Sequence, residues 1–270
     1  EVKSLGDIDH SVIRNYLGQL LDSGTVRGSI SRKMSALRSF FQYLNREHLV
    51  ENEPLALISN PKMEKRLPSF LTSEEILSLL AAPEGSTPHG LRDRAILELL
   101  YASGLRVSEI ASLNSKDVNV ENRQLLVWGK GSKQRMVLMG ETAAEAIADY
   151  LENGRPKLAG DQGSDALFLN RYGRRIAQRR IQYMLKKYAK LAGITRRVHP
   201  HMLRHTFATH MLDGGADLRV VQELLGHTDL ASTQVYTHVT RSHMRSRYLQ
   251  AHPRGQEKEW KASERDRSQE

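Results

Sequence analysis

Apolar residues at three- and four-residue spacings run through nearly the whole chain, and only the stretch around residues 124–139 departs from them in favour of β-type runs. A chain patterned this way buries helical stripes against one another, so the sequence predicts a mainly α fold with a small β-sheet or hairpin. Ile8, Val12, Ile13, Leu17, Leu20 and Leu21 mark a first helix. A second runs from about Ser29 to Glu47, with Ile30, Met34, Leu37, Phe40, Phe41 and Leu44 as its apolar face. The periodicity then breaks at Asn60-Pro61-Lys62-Met63-Glu64-Lys65-Arg66-Leu67-Pro68, where two prolines sit among charges, as in linkers. The expected organisation is a helical domain over residues 1–60, a linker at 61–69, a larger domain at 70–250 and a tail at 251–270. The tail mixes five basic with five acidic residues and is expected to be flexible.

Local signals place further elements in the larger domain. Thr72 or Ser73 caps a helix whose first turn carries Glu74 and Glu75. A helix over Arg92–Ala102 is stopped by Gly104, and the runs Gln124–Trp128 and Arg135–Met139 flank the turn Gly129-Lys130-Gly131-Ser132-Lys133-Gln134. Helices over Pro200–Leu212 and Asp217–Leu225 each end at glycine, Gly214-Gly215 and Gly226.

Charge narrows the class of partner. With 40 Lys and Arg against 31 Asp and Glu, the chain carries a formal charge of +9, which favours a polyanion. Its distribution is more telling. From Thr25 to Arg46 there are Arg27, Arg32, Lys33, Arg38 and Arg46 and no acid, and Arg171–Arg204 holds eleven basic residues, among them Arg174, Arg175, Arg179 and Arg180, again without an acid. Beside the latter cations, Ile176, Ile181, Met184, Leu185, Tyr188 and Leu191 form a helical core stripe. Basic faces of this kind suit a nucleic-acid backbone. The absence of cysteine excludes disulfides, thiolate metal sites and a cysteine nucleophile. No apolar run reaches the roughly 18 residues of a membrane span and no secretory signal is evident, so a cytoplasmic protein without a membrane partner is expected.

Breaking a phosphodiester without a metal requires a nucleophile, cations or donors for the growing phosphoryl charge, a base, and an acid for the leaving oxygen. Pro200-His201-Met202-Leu203-Arg204-His205 places His201 and Arg204 on one face near a helix start. Leu224-Leu225-Gly226-His227 sets a histidine after a helix end, with Tyr236 nine residues on, and Gly104-Leu105-Arg106-Val107-Ser108-Glu109 presents an arginine after a glycine. His201 and His205 could hold zinc at i,i+4, but no Glu follows His201 and no third ligand is evident, so no metal is expected.

In this order and spacing, Gly-Leu-Arg-Val-Ser-Glu, the Gly-Lys-Gly hairpin, His-x-x-Arg-His, Leu-Gly-His and the tyrosine resemble the tyrosine recombinase (phage integrase) family. Leu105–Glu109, Phe207-Ala208-Thr209-His210, Gly215–Gln222, Leu224–His227 and His252-Pro253-Arg254 are most similar to its Xer-type members. The resemblance implies a two-domain, C-shaped DNA clamp: an N-terminal SAM-like core-binding domain, here without its first helix, and an α+β catalytic domain. It implies Tyr236 as nucleophile of a 3′-phosphotyrosyl intermediate, with Arg106, Arg204 and His227 donating to the phosphate. Lys130 would be the acid, Lys133 and Arg135 being alternatives on the same hairpin, and His201 the base. Glu109 would orient Arg106, and His205 would support from behind. Arg27, Arg32, Lys33, Arg38, Arg174, Arg175, Arg179 and Arg180 become DNA-backbone contacts. No cofactor is implied. The implied partners are two double-stranded DNA sites, a homo- or hetero-tetramer with itself or a paralogous recombinase, and a DNA translocase of the FtsK type. The implied process is chromosome- or plasmid-dimer resolution in the nucleoid through a Holliday junction at a dif-like site. The rival implications are a mobile-element integrase, a type IB topoisomerase, and a non-catalytic DNA-binding regulator.

Overall fold

The computed structural model describes residues 4–51, 53–59, 70–129, 134–160, 163–226 and 238–255, with residues 238–243 described by backbone alone. The chain divides into two units, Glu1–Leu67 and Pro68–Glu270. Lys130, His227, Tyr236 and the expected linker at 61–69 lie outside the described residues.

In the first unit, helix α1 (His10–Asp22) starts at Asp9, whose carboxylate accepts from the backbone N–H groups of Ser11 and Val12, each at 2.9 Å. Helix α2 (Arg27–Arg46) follows, and Ile13, Ile30, Met34, Phe41 and Leu44 form the core with Val50 and Leu55. Phe40, expected on this face, is 45% exposed. Met34, Phe41 and Leu44 fix the direction of the stripe, and the residue before Phe41 is rotated about 100° out of it.

The second unit is organised around α4 (Pro88–Ser103), which packs against α3 (Ser73–Ala81), α6 (Glu141–Asp149), α8 (Gln178–Leu191) and α9 (Pro200–Asp213). Thr72 caps α3 through reciprocal bonds with Glu75: the hydroxyl accepts at 3.3 Å and the Thr72 N–H donates to the carboxylate at 2.8 Å. Nearly every side of α4 is buried, charges included. Arg92 donates from Nε and Nη2 to Asp93 Oδ1 at 2.9 and 2.6 Å and from Nη1 to the Leu169 carbonyl at 2.8 Å, while the Tyr188 hydroxyl donates to Asp93 Oδ2 at 3.0 Å. The pair is thereby matched on all sides, as a buried ion pair must be.

Short helix α5 (Val107–Ser112) leads into three antiparallel strands in the order β1 (Val118–Asn119), β2 (Gln124–Trp128) and β3 (Gln134–Leu138). Trp128 pairs with Gln134 and Gln124 with Leu138, one residue earlier than the run Arg135–Met139 expected for the last strand. Helix α6 continues through a wider turn, Tyr150–Gly154, into α7 (Arg155–Ala159). Helix α8 buries Ile181, Met184, Leu185, Tyr188 and Ala189. Leu191 does not join the stripe: it is 63% exposed, because the helix ends there and turns away through Ala192 and Gly193. Helices α9, α10 (Leu218–Leu225) and α11 (His238–Ala251) complete the unit around a second apolar cluster of Phe207, Met211, Val221, Leu225 and Tyr248.

The described residues after α11, the first of the expected tail, pack against the second unit. Ala251 and His252 are 5% and 3% exposed, and Arg254 Nη1 donates to the buried Glu98 carboxylate at 2.6 Å. Polar composition does not reveal that these few residues find partners inside the second unit. No described helix is long and apolar enough to cross a membrane.

Candidate active site

The site is built where three helix ends meet. Helix α4 stops because Gly104 turns left-handed, at φ 58°. A Cβ there would lie 2.6 Å from Phe207 Cδ1 and 2.8 Å from Leu225 Cδ2, so glycine is required by conformation and by space. The close approach puts the open carbonyls ending α4 and α10 within reach of α9. Arg204, in the second turn of α9, donates from Nη1 to the Gly104 carbonyl and from Nη2 to the Leu225 carbonyl, both at 2.7 Å. Helix termini leave such carbonyls without internal partners, and one fork-shaped guanidinium satisfies two of them. Burial lowers the Arg204 pKa to about 10, with Arg106 and Arg135 adding to the effect and Glu109 opposing it. Arg204 stays charged at neutral pH.

Arg106 stands at the N-cap of α5. Its backbone N–H donates to Glu109 Oε2 at 2.8 Å and its Nη1 to Glu109 Oε1 at 3.2 Å, while its side chain remains 44% exposed. Glu109 is buried and receives a second guanidinium, Arg135 Nη1, at 2.9 Å on the same Oε1. Burial opposes ionisation of Glu109. The Arg135 and Arg106 bonds and the charges behind them outweigh it and hold the carboxyl below its ordinary value. The result is a carboxylate gripped from two sides beside an exposed guanidinium, a cationic seat for an anion.

His201 is exposed on the first turn of α9, three residues before Arg204 and with its ring 6.4 Å from that of His199. His205 is half-buried, edge-on to Phe70 with ring centres 6.3 Å apart. The structure therefore brings together Arg106, Glu109 and Arg204 and places His201 and His205 on the helix that carries Arg204. His227 directly follows Gly226, the left-handed cap of α10.

The expected backbone-contacting residues separate into two kinds. Arg27, Arg32 and Lys33 are exposed on α2, and Arg174, Arg179 and Arg180 are exposed at and before the start of α8. Arg38 donates to the Ile58 carbonyl at 2.9 Å. Arg175 is engaged more fully, with bonds to the Ala111 and Leu113 carbonyls at 3.1 and 2.8 Å and to Asn114 Oδ1 at 2.6 Å. Among the described residues, no three His, Asp or Glu side chains gather as metal ligands would.

Sequence reasoning leaves Arg135 only as an alternative acid. The signal that locates it is strand parity: Val137 and Met139 are buried at 2% and 1%, Met136 is 47% exposed, and Arg135 shares the inward parity. A cation on the inner face of a strand needs a buried acid, and Glu109 is that acid.

Residues 69–243 match the model of the phage integrase family, and residues 1–48 match the phage integrase N-terminal SAM-like domain. The chain is 50% identical over 251 residues to tyrosine recombinase XerC of Bacillus pumilus, covering 92% of this chain and 82% of that one. It is 45% identical over 254 residues to tyrosine recombinase XerD of Halalkalibacterium halodurans, covering 94% and 85%. Among solved structures, the XerH site-specific recombinase bound to a palindromic difH substrate, a post-cleavage complex, superposes with a TM-score of 0.71 at 27% identity, covering 91% of this chain and 73% of that one.

Proposed function

The chain belongs to the phage integrase family, the tyrosine recombinases, and from that premise we propose that it cuts and rejoins DNA through a covalent bond to Tyr236. It is a site-specific recombinase of the Xer type. The observation that carries the chemical reading is the pair Arg106 and Arg204 beside buried Glu109, a cationic seat inside the matched region. In the proposed step the Tyr236 oxygen attacks the scissile phosphorus and passes its proton to His201. The bond to the 5′-oxygen breaks, and Lys130 supplies the proton that makes a 5′-hydroxyl. Arg106, Arg204 and His227 donate to the non-bridging oxygens, where forked guanidiniums fit a phosphate in two-point fashion. The 3′-phosphotyrosyl link conserves the energy of the bond, so rejoining is the same step reversed and needs no nucleotide.

Double-stranded DNA is the proposed substrate, as the complex of the XerH relative suggests. Arg27, Arg32, Lys33, Arg174, Arg179 and Arg180 are the proposed backbone contacts, with Arg38 and Arg175 contributing less because their guanidiniums already serve their own chain. Four protomers, alone or with a paralogue, would exchange strands through a Holliday junction at a dif-like site, resolving chromosome or plasmid dimers in the cytoplasm under a DNA translocase. A nicked suicide duplex carrying such a site tests the chemistry. The native chain is expected to accumulate a covalent protein–DNA adduct and Y236F none; an equal adduct from Y236F would assign the nucleophile elsewhere.

A further inference from the structure

Arg135 is built into the cationic seat in a way that structural support alone does not explain. Its Nη1 is bonded to Glu109, but Nε and Nη2, the two donors of the opposite fork, are buried with no hydrogen-bond partner among the described residues. Burying two unmatched donors costs stability, so a residue kept only for the fold would be better replaced by an apolar one of similar length. The side chain also lies flat against Gly226: a Cβ at that position would stand 2.8 Å from Nε and 3.0 Å from Cζ. One guanidinium on β3 therefore touches both the acid that holds Arg106 and Gly226, the residue preceding His227 in the sequence. It is close enough to Arg204 to lower that residue's affinity for its proton.

We propose that Arg135 is a positioning residue of the cleavage site, holding Glu109 so that Arg106 can leave the carboxylate for the scissile phosphate. This rests on the recombinase reading above. The reasoning is electrostatic. If Arg106 were the sole cation on Glu109, the two would form a closed pair, and moving the guanidinium to a phosphate would strand a buried carboxylate. Oε1 instead receives both Arg106 and Arg135, and the Arg135 bond is the shorter, 2.9 against 3.2 Å. When Arg106 turns to the phosphate, Glu109 keeps Arg135 and the Arg106 backbone N–H. Three guanidiniums around one carboxylate also leave the seat cationic overall, which a simple Arg–Glu pair would not.

The test compares the native chain with R135M, E109Q and the double variant R135M/E109Q on the nicked suicide duplex, with DNA binding and thermal unfolding measured in parallel. R135M is expected to keep its unfolding midpoint and its DNA binding while the rate of adduct formation falls roughly tenfold or more. In the double variant no carboxylate remains to trap Arg106, so it should form adduct faster than R135M. A purely structural Arg135 gives the opposite pattern, with the double variant no faster than R135M. R135K, which keeps the charge, should lie between native and R135M, and it serves the comparison if R135M does not fold. Native-like cleavage by R135M, or no recovery in the double variant, would overturn the proposal. Absence of adduct from the native chain, or an equal adduct from Y236F, would instead overturn the recombinase chemistry on which it rests.

Discussion

At the scale of single residues, Arg204 has two duties that cannot be separated. It closes the C-terminal ends of α4 and α10 by donating to the Gly104 and Leu225 carbonyls, and it sits in the cationic seat. R204A should therefore lower stability by about 1.5–3 kcal/mol, the worth of hydrogen bonds to a charged group, and slow adduct formation by roughly a hundredfold or more, as loss of one preorganised donor does. R204K should recover only part of the stability, since one ammonium presents a point charge where two carbonyls are bridged. Chemical denaturation read beside the suicide-duplex assay checks both; R204A unfolding like the native chain would show that the carbonyl bridge contributes nothing. The sequence conveys Arg106, Glu109 and Arg204 through the resemblance of their motifs to those of the family, since no local spacing tells that Arg106 and Arg204 meet. It conveys Arg135 poorly, because strand parity becomes informative only once the one-residue register is known.

At the scale of elements, helix starts and stops are the most legible features. Thr72, Asp217, Gly104 and Gly226 act within one turn of chain, and a local sequence contains everything such a cap requires. Leu191 and Phe40 fall outside the stripes expected to hold them, the first because α8 ends at it and the second because it stands one residue, about 100°, out of the buried face. The segment after α11 is hidden from the sequence for a related reason: its partners are about 150 residues away. His252 lies among Tyr101 of α4, Phe207 and His210 of α9, Tyr248 of α11 and its own neighbour Arg254, which reaches Glu98. Its Nδ1 accepts the Arg254 N–H at 3.1 Å and its Nε2 stands 3.4 Å from the Tyr101 carbonyl, an arrangement that suits the neutral ring. Burial lowers its pKa to about 3, with His210 and the cation at Arg254 contributing in the same direction. A histidine free to protonate near 6.5 when unfolded but not until about 3 when folded gives stability that is complete above pH 6.5 and is lost as the pH falls toward 3. The unfolding midpoint should fall steadily across that window. H252Q should flatten the fall, leaving the shares due to His210, His89 and His199, whose pKa values burial also lowers, and to the lowered Glu109 carboxyl at the acidic end; an unchanged slope in H252Q would remove His252 as the cause.

At the scale of the whole molecule, the +9 charge is divided between groups that serve the chain and groups that face outward. Arg92, Arg175 and Arg204 hold backbone carbonyls, Arg175 while still exposed, and Arg174, Arg179 and Arg180 stand exposed. Association with DNA measured against salt should separate them. Replacing Arg174, Arg179 and Arg180 by Ala should reduce the slope of log K against log salt by about 0.9 for each phosphate that is no longer neutralised. R175A should change the slope less and the unfolding midpoint more. The reverse ordering would reassign Arg175 to the DNA face. Composition carries the excess of positive charge but not this division, which depends on which arginine finds a carbonyl at the end of a neighbouring element.

The docking of the chain after α11 makes that helix a lever. Its far end is pinned, with the Tyr248 hydroxyl on the Ala102 carbonyl at 2.8 Å and Arg254 on Glu98. Its near end, His238, lies roughly 15 Å away along the axis at 1.5 Å per residue. A tilt of about 10° at the pinned end would carry the near end through roughly 3 Å, about the length of a hydrogen bond. A small yield at the Glu98 pivot would thus be magnified several-fold at the start of α11.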